Sequence, residues 1–455
     1  MTEESAVVDV KEEPLPLWRR VLSMLIIAGL VLMVGSMAAS YLLRWQLGRE
    51  ISKAAGIGEP MSFSEMAKDS GEVAADKDAM GLYMEAILAT FPDDQGNLLN
   101  ANSHYLAKLD SVPAGEITKG THREVSQQMI KFQSILARFD KAAGMPLSGF
   151  DMDIEYGMEA CQKRLAHIRA ASLLMSLRVL ELTSRDQDEA AAYSAMSMMR
   201  VLRVFGAYPT MTISISKAGL VGLACDDIRL LLEHGDLSDG TLQKLQAVLN
   251  DTIRGNSLER SFLAERIYQM ALARDLLSKK MAVKYLQDDF IDMPERILIP
   301  ESSLERLKLQ VNTILFFRQM AKFISAAGEP WPVPLDSLEK LSEKPSKLIK
   351  AGTVFAGLTA GISTILEATV TVVAIERYRK AKGEVPDSLG ELVPDYIGAV
   401  GVDPYTGKQL RYFHDDTGYT VYGIGENRID DGGEIKNLAK GVKPLDLGVN
   451  IRFRE

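Results

Sequence analysis

Val21 to Leu43 (VLSMLIIAGLVLMVGSMAASYLL) carries no charged residue, and this run constrains the chain more than any other feature. At the helical rise it would cover roughly 34 Å, enough to cross a hydrocarbon core of about 30 Å. Arg19 and Arg20 precede it, Arg44 follows it, and Trp18, Tyr41 and Trp45 sit where amphipathic rings favour the membrane interface. We read it as an uncleaved signal-anchor. The competing reading is a signal peptide cut after the small-x-small end Ser36-Met37-Ala38, but the hydrophobicity continues past that point. Lys11, Arg19 and Arg20 on one flank nearly balance Arg44, Arg49 and Lys53 on the other. The expected orientation puts the short tail inside and the large C-terminal portion outside.

The 455 residues are 47% hydrophobic and 25% charged, too apolar for a disordered chain and too long for one small domain. The net charge of -9 gives no general attraction for nucleic acid. Two cysteines, Cys161 and Cys225, exclude a disulfide-rich scaffold and any metal site built mainly from thiolates. They read as two buried thiols, with a bond between them as the alternative. A second apolar stretch, Ala351 to Ile375, is interrupted by Glu367 and continues into Glu376-Arg377-Tyr378-Arg379. A core helix is the simpler reading and a second span the alternative, since periodicity alone does not separate them.

Helical spacing dominates the middle of the chain. Apolar positions predict helices over about 76–89, 124–143, 159–182, 188–205, 213–233 and 305–326, and a further one after Asn256 or Ser257. Gly235 to Ser238 predicts a break with a helix cap, and Asp288 to Ser302 a loop. Gly328 to Pro334 (GEPWPVP) predicts an extended crossing, because each proline fixes its own backbone and restricts the residue before it. After Lys382 the pattern changes. Ser388 to Leu392 predicts a short helical turn, Gln409 to Phe413 and Tyr419 to Ile424 a hairpin, and Leu447 to Phe453 a last strand.

The chemistry-bearing motifs are few. HExxH, GxxxxGK[ST] and GxSxG are absent, and His104, His122, His167, His234 and His414 are scattered. Ser214-x-x-Lys217 and Ser337-x-x-Lys340 have a minimal serine–lysine spacing without its companion motifs. The most concentrated polar group is Glu426-Asn427-Arg428-Ile429-Asp430-Asp431-Gly432-Gly433-Glu434. Carboxylate and amide oxygens on such a loop suit Ca²⁺, which prefers hard oxygen ligands; a solvated acidic turn is the alternative. Glu426, Asn427, Asp430 and Asp431 are the candidate ligands.

Ala374-Ile375-Glu376-Arg377-Tyr378-Arg379 leading to Gly383, Pro386, Ser388 and Leu389 resembles the helix-to-loop passage of type II secretion pseudopilins. Asp403-Pro404-Tyr405-Thr406-Gly407-Lys408 is similar to their Asp-Pro turn, and Tyr419 to Asn427 with Asp430 to Gly433 to their late strand and acidic loop. The likeness covers about 370–455 and implies a C-terminal module that often holds calcium, in a protein associated with export. The chain lacks that family's Gly-Phe processing junction, so it is not read as a major pseudopilin. As a whole it resembles large uncharacterised envelope proteins of planctomycete-type bacteria.

The expected fold is therefore mainly α: an N-terminal transmembrane helix, a multi-helix extracytoplasmic region of packed helical hairpins, and a small C-terminal α+β pseudopilin-like module. The expected divisions are a cytoplasmic tail (1–17), the anchor (18–44), a membrane-proximal helical region (45–150), a central helical domain (151–350) and a long helix with the terminal module (351–455). The expected protein is a single-pass bacterial inner-membrane protein with its bulk in the periplasm. Its partners would be the lipid bilayer through residues 21–43 and envelope proteins or further copies of itself, with no nucleic acid. An envelope structural or interaction role, more than an enzymatic one, follows; the alternative is an extracytoplasmic hydrolase whose site carries no familiar motif.

Overall fold

The computed structural model describes residues 17–67, 79, 82–83, 85–86, 119–143, 145, 158–202, 209–278, 302–342, 347–435 and 446–453. Among the described residues the fold is mainly helical, with eleven packed helices and a small antiparallel sheet. The expected helix over 76–89 and the loop over 288–302 fall largely outside this set.

Helix α1 (Leu17–Gly56) is 40 residues long and outruns the uncharged segment at its C-terminal end without a break. Leu30, Leu32, Val34 and Met37 all face outward. Such a long, exposed apolar helix is consistent with membrane anchoring. Its charged extension belongs to the body of the protein. A short helix α2 (Phe63–Ala67) follows; beyond residues 68–118, most of which are not described, lies the helix labelled α3 (Lys119–Ala143).

The helices α4 (Met158–Thr183), α5 (Asp188–Leu202) and α6 (Met211–His234) pack mutually. Helix α7 (Asp239–Arg254) starts where the sequence signals it: the Ser238 hydroxyl accepts the Thr241 amide at 3.3 Å. Two acidic side chains at the start of α5 tie down the same loop. Asp188 accepts the Asp236 amide and Glu189 the Ser238 amide, both at 2.8 Å. Helix α8 (Leu258–Ser278) pairs with α9 (Ser303–Ala327), whose Ser302 and Glu305 form a capping box.

Helix α10 (Val333–Ser342) corrects the sequence reading, in which residues 328–334 form an extended crossing. Residues 328–332 form turns and not an extended segment: Gly328 is in the helical region, and the Val333 amide returns to the Pro330 carbonyl at 3.1 Å. Pro334 instead occupies the first turn of α10, where its fixed φ suits the helix and its missing N–H has no intrahelical partner to lose.

Helix α11 (Lys347–Lys382) contains the second apolar stretch, and 72% of its most apolar window is buried within the protein. This is the core-helix reading. Its first half packs with α8, α9 and α10 around Phe262, Phe323 and Phe355, and its second half with α6, α7 and the sheet. Small residues permit the close approach: the Phe323 ring lies against Gly352 with no room for a Cβ. The hydroxyls of Thr359, Thr364, Thr369 and Thr371 each return to the carbonyl four residues earlier, so these polar groups are buried satisfied.

Gly383 ends α11 with φ 87°, and a 3₁₀ turn (Leu389–Leu392) follows. Strands β1 (Arg411–Asp415), β2 (Gly418–Ile424) and β3 (Asp446–Arg452) form an antiparallel sheet in the order β1-β2-β3. The expected hairpin is present, with β1 two residues later than expected at each end. Strand β2 is buried along its whole length, because it is central and one face lies against α11. A hydrogen bond of 2.6 Å from the Tyr419 hydroxyl to Glu376 joins them.

One buried acid in the helical core sets a test. Asp227 on α6 is 1% exposed; the Ser176 hydroxyl donates to its Oδ1 at 2.9 Å and its Oδ2 has no partner. Burial raises its pKa well above the ordinary value, the Ser176 bond opposing this and Asp226 adding to it. Because the folded pKa is raised, this group's stabilisation is complete while it is protonated in both states. It is lost as pH rises from the ordinary aspartate range through the raised folded value. Asp227→Asn keeps an acceptor for Ser176 and does not ionise. Its melting temperature should gain on the wild type progressively as pH rises above the ordinary aspartate range, as read by thermal scans in detergent. A difference that does not change with pH would contradict this.

Candidate functional site

The terminal module is organised around Asp403, which is fully buried in the turn before β1. Its carboxylate accepts the Tyr405 amide at 3.0 Å, the Thr406 hydroxyl at 2.8 Å and, across the sheet, the Ile424 amide at 3.2 Å. This is an Asx turn that also ties down the end of β2. Gly407 completes the turn at φ 67°, and Trp331 and Pro332 leave no space for a side chain there. Arg411 on β1 reaches Asp403 at 3.4 Å and Asp430 at 2.9 Å, joining the turn to the acidic loop.

In that loop, Asn427 donates to Asp431 at 2.8 Å and accepts the Ile429 amide at 3.0 Å. Asp430 accepts the Gly432 amide and the Tyr422 hydroxyl, both at 3.1 Å, as well as Arg411. Its pKa is lowered: these donors and the Arg411 charge outweigh the largest single influence, burial, which acts in the opposite direction. Glu426 is exposed at the loop's start. Arg428 turns away to Asp336 at 2.8 Å and Glu339 at 3.3 Å, which keeps its charge off the carboxylates.

Asp446, at the start of β3, is a residue the sequence reading missed. Its Oδ2 accepts the amides of Asp431 at 3.0 Å and Gly433 at 2.8 Å, while its Oδ1 is buried with no partner. Burial raises its pKa first; the two amides oppose this, and Asp431 and Asp430 add their repulsion. An acidic residue opening a predicted strand, beside a loop already rich in carboxylates, was the available signal. The loop therefore has oxygen donors and one unsatisfied carboxylate oxygen. Among the described residues, no group of three or more His, Cys, Asp or Glu has the placement to hold a metal ion.

A second concave region lies between α7, α11 and the segment Tyr396–Gly401, with a volume of about 410 Å³. Its wall carries Gln243, Gln246 and Asn250 opposite Glu367 and Arg377. Arg377 is engaged by Asp239 at 2.8 Å, Gln246 at 2.9 Å and the Tyr396 carbonyl at 3.3 Å. Glu367 is half-buried, and burial raises its pKa.

In the first serine–lysine spacing the two side chains are engaged by different partners. The Ser214 hydroxyl faces the Pro209 carbonyl and the Ser261 hydroxyl, both at 3.1 Å, while the Lys217 ammonium goes to the Gly255 carbonyl at 3.1 Å. Burial lowers the Lys217 pKa to about 8. Cys225 is a buried free thiol, pushed up to about 12 by burial against the opposing influence of its hydrogen bond with Thr369. The side chains of Cys161, His104, His122 and His167 fall outside the described residues. No protein-family model, curated protein or solved structure matches this chain.

The Asp403 turn should behave as the clasp of the module. Removing its carboxylate strands two backbone amides, and each hydrogen bond to a charged acceptor contributes about 1.5–3 kcal/mol. Asp403→Ala should therefore abolish slow hydrogen exchange at the Tyr405 and Ile424 amides while leaving α4 to α6 protected. Unchanged protection at Ile424 would show that Asp403 is not the clasp.

Proposed function

We propose that the chain is a membrane-anchored structural or protein-interaction component of a bacterial cell envelope. Residues 21–43 cross the inner membrane once, and residues 45–455 lie on the periplasmic side. The observation that carries this reading is the continuity of α1. The helix passes without a break from its exposed apolar part into ion pairs with the body, Glu50 with Arg318 at 3.0 Å and, just beyond the helix, Glu59 with Arg266. A body fixed to its anchor in this way can present protein-contact surface at a set height above a bilayer. The resemblance of residues 370–455 to the pseudopilin module adds support for a secretion-associated role.

Affinity isolation of the intact detergent-solubilised protein is the direct test. A reproducible, near-stoichiometric set of envelope proteins or further copies of the chain is expected. Protease protection of tagged termini should expose the C-terminal region only when the outer barrier is opened. Recovery of the chain alone, or protection of its C-terminus on the cytoplasmic side, would count against the reading.

The same proposal includes Ca²⁺ in the terminal loop, with Asp430 and Asp431 as its main ligands and Glu426 or Asn427 beside them. The unsatisfied Asp446 Oδ1 supports it, since a divalent cation would offset the charge that burial now penalises there. Bound Ca²⁺ would supply only positive charge and a fixed loop. Calorimetric titration of the full chain should show saturable, Ca²⁺-selective binding over Mg²⁺. Free Ca²⁺ at a hundred times its Kd would stabilise the fold by about 2.7 kcal/mol. Both effects should vanish in the Asp430→Asn/Asp431→Asn double variant; no saturable binding to the folded wild type would exclude the site.

A further inference from the structure

The apolar run from Ala351 to Ile375 contains a single charged residue, Glu367. Every hydroxyl in that run has a partner. Thr353, Thr359, Thr364, Thr369 and Thr371 donate to carbonyls of α11, and Ser363 accepts the Asn256 side-chain amide at 3.3 Å. The Glu367 carboxylate holds nothing: no hydrogen bond or ion pair among the described residues reaches it. Burial raises its pKa with no neighbouring charge to oppose the shift. A helix that serves only as a spine gains nothing from such a residue. Leucine or glutamine would fill the position without the cost of a desolvated charge.

Glu367 lines the cleft between α7, α11 and Tyr396–Gly401, and the opposite wall leaves it room. A Cβ at Gly401 would stand 2.7 Å from Glu367 Oε2, so a side chain there would displace the carboxylate. Asn250 lines the same space from α7, and its carboxamide also has no partner among the described residues. At the far end the polar groups are spent on one another. Arg377 is taken by Asp239, Gln246 and the Tyr396 carbonyl, and Gln243 donates to Asp239 at 2.7 Å. Ten residues of α11 separate Glu367 from Arg377, about 15 Å at the helical rise, too far for an ion pair. The cleft therefore holds one cation already neutralised and one carboxylate that is not.

We propose that this cleft binds a primary ammonium group, carried by a free alkylamine or by a lysine side chain, with Glu367 as its counter-ion and Asn250 as a further acceptor. An ammonium is a compact charge with three diverging donors and no acceptor. Acceptors on two different walls suit it better than they suit the planar fork of a guanidinium. Its alkyl stem would rest on Ala247, Val370 and Ile397, the apolar members of the lining. The ammonium would offset the charge that burial penalises at Glu367. None of this depends on how the chain sits in a membrane.

Saturation-transfer NMR on the full chain, in nanodiscs of zwitterionic lipid with empty discs as the blank, tests the site. The probes are butylamine and Nα-acetyl-lysine N-methylamide, and Nα-acetyl-norleucine N-methylamide is the counterpart without an ammonium. Saturable transfer to at least one amine is expected, with binding of the norleucine compound at least about tenfold weaker. Transfer to the lysine amide alone assigns the site to a lysine on a polypeptide, and transfer to butylamine as well assigns it to the amine itself. Glu367→Gln keeps the shape of the side chain and should weaken amine binding by at least about tenfold; Asn250→Ala should weaken it several-fold. No saturable transfer from either amine overturns the proposal, as does equal binding of the norleucine compound or unchanged affinity in folded Glu367→Gln. If Glu367→Gln does not fold, unchanged affinity in Asn250→Ala overturns it instead.

Discussion

The guanidinium of Arg266 holds the junction on which the arrangement depends. It is fully buried on α8, pairs with Glu59, donates to the Pro60 carbonyl at 3.3 Å and stacks over the Phe317 ring at 5.0 Å. Glu59 and Pro60 belong to the segment that leaves α1, and Phe317 belongs to α9. One charge therefore joins the end of the apolar helix, α8 and α9. Its cost is visible: the Nε of Arg266 is buried without a partner. Breaking such a pair from one side typically costs about 3–5 kcal/mol, because the remaining charge stays buried. The pair brings the exit of α1, α8 and α9 together at one point.

Helix α11 is the second constraint, and it shows how a helix long and apolar enough to cross a membrane can be a spine. Its faces are covered by different partners along its length, three helices first and then two helices and the sheet. Small residues let aromatic rings close on it, and its threonines satisfy their own hydroxyls. The terminal module is consequently not an appendage. Tyr419 meets Glu376 on the last turns of α11, and the Arg452 amide bonds Glu233 at the end of α6.

Much of this was legible in the sequence wherever one face of a helix is apolar and its ends are capped. Ser238, Ser257 and Gly383 punctuate the chain as their chemistry predicts. The misses have physical reasons. Helix α10 was hidden by prolines that stop a helix when internal but suit its first turn. Strand β2 was readable as a strand but not as a fully buried one, because a second face was covered by parts of the chain far away in sequence. The acidic loop was recognisable from Asp430 and Asp431, whereas Asp446, Arg411 and Tyr422 join it only through the sheet's pairing. No local signal carried the packing of α9 on α1, since Glu50 and Arg318 lie more than half the chain apart.

Helix α1 and the body are held as one rigid unit by these contacts. A pair of spin labels at Gly48→Cys on α1, where there is open space, and Lys322→Cys on the exposed face of α9 measures this directly in lipid nanodiscs. A rigid unit gives a single narrow distance distribution that broadens when Arg266 is replaced by Ala. A broad distribution in the otherwise intact protein would contradict it, and would mean that the anchor is a flexible tether.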